Sequence, residues 1–558
     1  MRKLLPAALL PFVLVACVSK QPVDQLFYNA RIYTVDTAFS VAEAMAVKDG
    51  KVIATGTTAD LLNQYEPNKK TDEQGRFIYP GLIDAHAHFV GYALGLQTAD
   101  LVGTTSWDDI FHRLSDFAGR MSSFDRVDSG KMTSFDKNWL IGRGWDQNDW
   151  PVKEFPNKEK LDELFPHRPV FLKRVDGHAA IANQQALDMA GIKAGDRLTG
   201  GEIETKNGRL TGILIDNAVG LVASHIPEPT PAAAKAALLQ AQQNCFAVGL
   251  TTVDDCGLDG EAILFIDSLQ KSGALKMRVY AMLSDRKKNF DFAFSRGKIK
   301  TDRLNVRAFK VYADGALGSR GACLLQSYAD KPGWQGFLLS APAHFDSVAA
   351  LLVQKGFQMC THAIGDSGNR TILQVYAKYL QGKNDLRWRI EHAQVVAPAD
   401  FALFGNYNII PSVQPTHATS DMYWAPARLG NERVKTAYAY KQLLDQNGWI
   451  PLGTDFPVED ISPIKTFYAA VVRKDAKGWP QGGFEPENAL SRQETLRGMT
   501  IWAAKANFEE AEKGSLEKGK LADFIVTDRD LMKTAADSIL LTRVLATWLN
   551  GERVYDRK

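Results

Sequence analysis

Two histidines one residue apart, His86 and His88, are the first side chains in this sequence whose types and spacing suggest chemistry. They end a short apolar run at 81–87 that is typical of a β-strand, and alternate residues of a strand point to the same face. Two imidazoles on one face suit either a metal ion with supporting donors or a hydrogen-bonded pair. The spacing alone leaves both interpretations open.

More side chains that bind metals stand where later apolar runs end. His362 and His392 close two of these runs, and Asp455 closes another in Gly453-Thr454-Asp455. Four histidines and one aspartate form a ligand set that suits zinc. The sequence therefore predicts a metal centre.

Lys310 stands on a further apolar run, on the same predicted face as Tyr312 and Asp314. An unpaired buried ammonium is costly, so this lysine should lose its proton, pair with an acid or be chemically converted. A neutral lysine can take up carbon dioxide to form a carbamate that bridges two cations. The alternative is an ion pair with Asp314 or another carboxylate.

The residues above lie on or just after some of eight short apolar runs, and most of these runs are followed by a helical pattern. They lie at 81–87, 250–255, 277–283, 306–313, 357–363, 388–392, 409–414 and 449–455. This rhythm predicts an α/β fold, a (β/α)8 TIM barrel, in which the carboxyl ends of the strands meet at the active rim. We interpret residues 89–249 as a large insertion after strand 1, because that rim tolerates loop growth.

Both chain ends contain strand-like segments outside the barrel. Residues 24–80 and 515–558 are expected to pair in a small composite β-sandwich, with Asn550-Gly551 as a tight turn. The barrel with its insertion then spans 81–514.

The order and placement of the metal-binding side chains resemble those of the metal-dependent amidohydrolase superfamily. The residues that carry this resemblance are His86, His88, Lys310, His362, His392 and Asp455. The flanking segments 77–84 and 514–523 resemble the points where the chain leaves and re-enters that family's β-sandwich. Three motifs are similar to the YtcJ-like branch that contains N-substituted formamide deformylases: 142–146 (GRGWD), 176–178 (DGH) with Asn183 and 186–187, and 310–320 (KVYADGALGSR).

The resemblance implies a metal-dependent hydrolase that uses a metal-bound hydroxide against a non-peptide C–N bond of a small amide or N-substituted formamide. His86, His88 and Asp455 would hold one divalent cation, and His362 and His392 the other, with two zinc ions expected. Carbamylated Lys310 would bridge the two ions. Asp455 would orient the water, accept its proton and pass it to the leaving nitrogen.

Within the insertion, Arg143, Trp145 and His178 are candidate substrate-binding residues, and Arg143 and His178 are also candidate catalytic residues. Arg143 would fix a substrate carbonyl or carboxylate, and His178 would donate to the developing oxyanion. Trp145 could instead pack a loop core with other tryptophans, and Arg143 could form a structural ion pair.

Three residues near the predicted ligands have weaker assignments. His417 follows the seventh run and is expected to reach the rim. Strict alternation puts Glu391 on the face opposite His392, so Glu391 is predicted to be structural. Asp366 is expected to orient groups behind His362.

The length and composition predict a globular protein with one large domain and a satellite, or with two or three domains. The 558 residues are 45% hydrophobic, and 66 basic against 64 acidic side chains leave a net charge of +2. No basic block is interleaved with aromatic residues, which argues against nucleic acid as a partner. Self-association remains open.

The first residues are typical of a bacterial lipoprotein signal peptide at 1–17. Arg2 and Lys3 precede the apolar run 4–15, and Leu14-Val15-Ala16-Cys17 resembles a lipoprotein box that makes Cys17 the acylated residue. An ordinary signal peptide or a short buried helix are the alternatives. Lipidation would place the protein in the bacterial cell envelope, facing the periplasm, with the membrane contacted only through the lipid anchor.

Two other functions remain open at this level. The same centre could cleave the C–O bond of a lactone or ester, since the attack does not depend on the leaving atom. The chain could also be a binding lipoprotein that kept the barrel and lost turnover.

Overall fold

A computed structural model describes residues 20–124 and 139–558 of the chain. The predicted signal peptide at 1–17 and the predicted lipidation site Cys17 lie outside the described residues. Within the described part, no helix is both long and apolar enough to cross a membrane.

The first described strands are divided between two sheets. They and the helix between them are β1 (Gln21–Tyr28), β2 (Arg31–Tyr33), β3 (Val41–Ala42), β4 (Ala44–Lys48), β5 (Lys51–Gly56), α1 (Thr58–Gln64), β6 (Tyr65–Asp72) and β7 (Phe77–Pro80). Thr57 caps α1 by accepting a hydrogen bond from the backbone N–H of Asp60.

The barrel starts with β8 (Leu82–Ala87), which is buried along its whole length, and α2 (Phe89–Gly95). A strand of a parallel sheet is covered on both faces, which explains why β8 contains no exposed position.

The chain then builds a separate six-stranded sheet. Its elements are β9 (Ala99–Asp100), α3 (Trp107–Phe124), β10 (Leu140–Trp145), α4 (Glu159–Leu164), β11 (Val170–Arg174), β12 (Ala179–Ala182), α5 (Gln184–Met189), β13 (Gly201–Lys206), β14 (Arg209–Asp216) and α6 (Asn217–Ala223). The strand order is β13-β14-β12-β11-β10-β9. Alternating residues cover its two faces: Leu172 packs in one apolar cluster and Phe171 in the other.

The barrel resumes after this sheet. Its elements are α7 (Pro231–Ala247), β15 (Leu250–Leu258), α8 (Gly260–Lys271), β16 (Arg278–Ser284), α9 (Lys287–Arg296), β17 (Ile299–Lys300), β18 (Leu304–Tyr312), α10 (Pro342–Lys355), β19 (Gln358–Ala363), α11 (Asp366–Leu380), β20 (Arg389–His392), α12 (Phe401–Asn406), β21 (Ile410–Ser412), α13 (Pro415–Asp421), α14 (Ala425–Arg433), α15 (Tyr440–Asn447), α16 (Pro463–Val472), α17 (Arg492–Gly498) and α18 (Ile501–Ala506). Seven parallel strands follow one another in the order β8-β15-β16-β18-β19-β20-β21, and β17 pairs antiparallel with β18.

The eighth predicted run closes the barrel without forming a regular strand. The backbone N–H of Gly453 donates to Val413 O (3.0 Å), and the N–H of Ala85 donates to Leu452 O (3.2 Å). The segment therefore bridges the two edge strands, β21 and β8. The predicted parallel eight-stranded barrel is confirmed in this nearly closed form.

The chain ends with β22 (Phe524–Thr527), β23 (Val544–Leu549) and β24 (Glu552–Asp556). These strands extend a six-stranded sheet of order β24-β23-β22-β7-β2-β3, beside a four-stranded sheet of order β5-β4-β1-β6. Phe27 of the four-stranded sheet meets Phe524 and Trp548 of the other sheet edge to face, with ring centroids 4.9 and 5.0 Å away. The two chain ends thus share one core.

The four cysteines of the described residues, Cys245, Cys256, Cys323 and Cys360, are free thiols.

Candidate active site

The end of β8 places two histidines beside the aspartate that follows the closing segment. Nε2 of His88 lies 3.2 Å from Oδ1 of Asp455, and Nε2 of His86 lies 3.6 Å from the same oxygen. The backbone N–H of Asp455 donates to His86 O (2.7 Å), so the hydrogen bond that closes the barrel also positions the carboxylate.

The charge of Asp455 is set by its imidazole neighbours. Burial raises the pKa of this carboxyl, but His86, His88 and His392 together hold it well below its usual range. Its Oδ1 accepts no hydrogen bond of good geometry from the described residues, and the atoms that approach it are imidazole nitrogens, Nε2 of His88 at 3.2 Å and Nε2 of His86 at 3.6 Å. A buried anionic oxygen surrounded by imidazoles is suited to a cation that all of them can bind.

His362 and His392 complete the ring of imidazoles from the ends of β19 and β20. Their ring centroids are 4.6 Å apart, and the ring of His392 is 4.7 Å from that of His86. Burial lowers the pKa of both groups well below the ordinary value, and neighbouring positive charges lower it further. Neutral imidazoles are the form that binds metals.

Several of these atoms are buried with no partner among the described residues. Nε2 of His362 and Nδ1 of His392 make no hydrogen bond there. One ligand atom each from His86, His392 and Asp455 lie within 4.8 Å of one another. The donor set and its unpaired atoms fit a divalent metal ion.

Lys310 points into this cluster from β18. Its Nζ lies 3.1 Å from Nε2 of His86. The alternative ion pair with Asp314 does not form, because Asp314 accepts backbone hydrogen bonds from Cys323, Ile364 and Gly365.

The protonation of Lys310 bears directly on the carbamate. Burial lowers the pKa of Lys310, whereas Cys256 and Tyr312, and after them Glu391 and Asp455, raise it, and the net direction is upward.

The prediction that Glu391 points away from the site is wrong. Its Oε2 lies 2.6 Å from Nδ1 of His86, and the side chain is fully buried. Strict alternation fails because His392 has a positive φ of 73°, which turns the end of β20 so that both neighbours face the barrel interior. A charged pair two residues apart on a buried strand, Arg389 and Glu391, was the sequence signal for this orientation.

The six-stranded sheet β9–β14, which lies between β8 and β15 in the chain and is called the inserted sheet below, contributes two residues to the mouth of the barrel. They are Arg143 at β10 and His178 between β11 and β12. The ring of His178 lies 4.9 Å from that of His362, between centroids. Arg143 donates to Pro457 O (2.5 Å) and to Val175 O (2.9 Å), so it joins the inserted sheet to the segment that follows Asp455. Burial lowers the pKa of Arg143 to about 10.

Trp145 belongs to the apolar core of its own sheet. Its side chain is fully buried, its indole N–H donates to Leu172 O (2.9 Å), and its ring packs near Trp150 and Phe155. The packing interpretation of Trp145 therefore replaces the substrate-binding one.

Three other residues lie near the proposed ligands, and each makes a different contact. His417 approaches the site, with Nε2 3.5 Å from Oδ2 of Asp455. Asp366 accepts the backbone N–H of Leu325 (2.8 Å), which anchors a loop. Tyr312 was not assigned from the sequence, yet its ring is 5.4 Å from that of His362.

The sequence profile of the amidohydrolase family matches residues 71–555. The chain belongs to the amidohydrolase family. This membership confirms the family resemblance that the ligand order predicted.

Individual relatives of this amidohydrolase cover nearly the whole chain. Protein LONG AFTER FAR-RED 3 of Arabidopsis thaliana is 31% identical over 551 residues, covering 95% of this chain and 91% of the relative. N-substituted formamide deformylase of Arthrobacter pascens is 26% identical over 562 residues, covering 96% and 98%.

A solved structure agrees with the architecture. An uncharacterized metal-dependent hydrolase from Pyrococcus horikoshii superimposes with a TM-score of 0.73 at 25% identity, covering 92% of this chain and 99% of that chain.

Proposed function

We propose that this amidohydrolase is a metal-dependent hydrolase of a non-peptide C–N bond in a small amide or N-substituted formamide. The observation that carries the proposal is the convergence of His86, His392 and Asp455, whose ligand atoms lie within 4.8 Å of one another. The similarity to an N-substituted formamide deformylase along nearly the whole chain supports the bond type.

The residues that would hold the metal divide into two groups around Lys310. His86, His88 and Asp455 would bind one cation, and His362 and His392 the second, with zinc as the expected ion. A bound divalent cation would supply an acidified water and would polarise the substrate carbonyl.

The protein's own side chains would handle protons and orient the substrate. Asp455 is anionic and its Oδ1 accepts no hydrogen bond of good geometry from the described residues, so it can accept a proton from water and return it to the leaving nitrogen. Two N–H groups of Arg143 donate to backbone carbonyl oxygens, so Arg143 would act by holding the inserted sheet against the mouth of the barrel. His178, whose ring centroid lies 4.9 Å from that of His362, would hydrogen-bond the substrate.

The decisive experiment compares turnover of a matched N-substituted formamide and formate ester by metal-loaded and chelator-treated protein. We expect faster turnover of the formamide, loss of turnover after chelation and recovery with zinc. Preferred turnover of the ester would favour the lactone or ester alternative, and metal-replete protein without turnover would favour a binding protein.

His392→Asn should lower metal content and turnover at least about 100-fold, whereas His225→Asn, at an exposed histidine, should change neither.

We also propose that Lys310 carries a carbamate. The neutral amine would attack carbon dioxide, forming an N–C bond and releasing one proton. The position of Nζ beside His86 supports this assignment. Protein equilibrated with ¹³C-bicarbonate and zinc should give a carbamate ¹³C signal that Lys310→Met removes; a wild-type protein that binds two metals without this signal would contradict it.

We propose, finally, that the protein is a lipoprotein of the bacterial cell envelope. The support is the charged and apolar start of the sequence and the box that ends at Cys17.

A further inference from the structure

A carboxylate of the inserted sheet lies behind His178. Asp216 ends β14, and its Oδ1 is 2.6 Å from Nδ1 of His178. The backbone N–H of Asp216 also donates to His178 O (2.7 Å), so the two residues are joined at both the backbone and the side chain. The side chain of Asp216 is 0% exposed and that of His178 is 16% exposed. The pair therefore runs from a fully buried carboxylate to a partly exposed ring beside His362 and Tyr312.

The backbone at Asp216 is held in an unfavourable conformation. Its φ is 51° and its ψ is −118°, outside the regions that residues with a side chain prefer. Such a conformation is energetically unfavourable and persists only where the surroundings enforce it. Asp216 is thus fixed in a position that local backbone preference does not favour.

The barrel leaves room for this carboxylate by using glycine. Gly315 and Gly321 lie in the loop after β18, and a Cβ atom at either position would overlap Oδ2 of Asp216. Oδ2 itself has no hydrogen-bond partner among the described residues. The loop and the inserted sheet therefore enclose the carboxylate while leaving His178 as its side-chain partner.

We propose that Asp216 is a positioning residue that acts through His178. Its carboxylate accepts the hydrogen on Nδ1, which fixes the tautomer and turns Nε2 of His178 toward the cavity beside His362 and Tyr312. This inference rests on the proposed hydrolase function, because it concerns how the inserted sheet presents one side chain to the substrate.

The first test measures the tautomer directly in the wild-type holoenzyme. In ¹⁵N-histidine-labelled protein, the His178 resonances, assigned by their loss in His178→Ala, should report a hydrogen on Nδ1. A neutral His178 with its hydrogen on Nε2 would overturn the proposal. This result does not depend on turnover, so it is separable from a failure of the proposed function, which would appear as wild-type protein without metal-dependent hydrolysis.

The second test uses a double-mutant cycle. Asp216→Asn should lower kcat about 10- to 100-fold with little change in KM and with unchanged metal content. In the His178→Ala background the same substitution should change kcat less than about 2-fold, because the partner through which it acts is gone. Equal losses of kcat in both backgrounds, or no loss in either, would overturn the proposal.

An exposed carboxylate on the outer helices provides the control. Oδ2 of Asp346 in α10 accepts a hydrogen bond from the Tyr379 hydroxyl (3.0 Å), and the side chain of Asp346 is 38% exposed. Asp346→Asn removes a carboxylate that accepts a side-chain hydrogen bond far from His178 in the chain and should leave kcat unchanged.

Discussion

Burial decides the charge of the histidines at the metal centre. Burial and the nearby Lys310 lower the pKa of His86 to about 4, and those of His362 and His392 fall well below the ordinary value. All three imidazoles are then neutral at pH 7 and can offer lone pairs to a cation. A neutral imidazole has one nitrogen with a free lone pair, and only that nitrogen can bind a cation. The group that hydrogen-bonds to the N–H of the other nitrogen therefore decides which nitrogen binds.

Glu391 is the group that selects the nitrogen of His86. Because its Oε2 accepts the hydrogen of Nδ1, Nε2 is left facing Lys310 and Asp455. Glu391→Gln should weaken zinc binding about 10- to 100-fold, measured by competition titration with a chelator. Glu66→Gln, at an exposed strand position, should bind zinc as tightly as the wild type. Unchanged zinc affinity in Glu391→Gln would contradict this role.

At the scale of elements, the irregular segment around Gly453 both closes the barrel and delivers Asp455. It donates to Val413 O on one side and to His86 O on the other, and Asp455 has a positive φ of 64°. In a regular strand, side chains point to alternate faces in a fixed order. The positive φ of Asp455 breaks that order, and its carboxylate consequently points toward the histidines.

Gly453 permits this close approach to β8. A Cβ atom at Gly453 would lie 2.5 Å from the backbone nitrogen of His86 and 2.8 Å from Oδ1 of Asp84. Gly453→Ala should therefore destabilise the protein by about 1–3 kcal/mol and lower its zinc content, measured by denaturant unfolding and elemental analysis.

The control for Gly453 is a glycine with open space around it. Gly220 lies in α6, where a Cβ atom would meet nothing within 4 Å. Gly220→Ala should be neutral or stabilising by up to about 1 kcal/mol, since alanine favours helices. If Gly453→Ala and Gly220→Ala both unfold at the same denaturant concentration as the wild type, the missing side chain at Gly453 is not what permits the close approach to β8.

At the scale of the whole molecule, the mouth of the site is assembled from distant parts of the chain. Arg143 of the inserted sheet bonds to Pro457 O, and Arg428 of α14 donates to Oδ1 of Asn148 (3.0 Å). These two contacts fasten the inserted sheet to the barrel. They also help to hold His178, the proposed substrate-binding residue of that sheet, beside His362.

The proposed lipid anchor also acts at the scale of the whole molecule. One acylated residue would tether the chain to a membrane surface while the barrel remains in water. Cys17→Ser should move the protein from the detergent phase to the aqueous phase in detergent phase separation of whole-cell extracts. Cys323→Ser, at a partly exposed free thiol, should leave the partition unchanged. A Cys17→Ser protein that still enters the detergent phase would exclude this anchor.

The order of the residues along the chain was enough to predict the metal-binding side chains of the candidate site and the kind of fold. Histidines, a lysine and an aspartate at the ends of buried runs are visible because strand periodicity and ligand type are local properties. They were sufficient to predict the barrel, the family and the convergence of His86, His392 and Asp455.

The neighbours of those residues in space could not be predicted, because they follow from the folded path of the chain. Glu391 lies 305 positions from His86 and faces it because the backbone turns at His392, and Asp216 lies 38 positions from His178. Trp145 is buried in its own sheet because of where β11 runs beside it. Such contacts depend on the path of the chain and on single backbone angles, and neither follows from the periodic pattern of a strand.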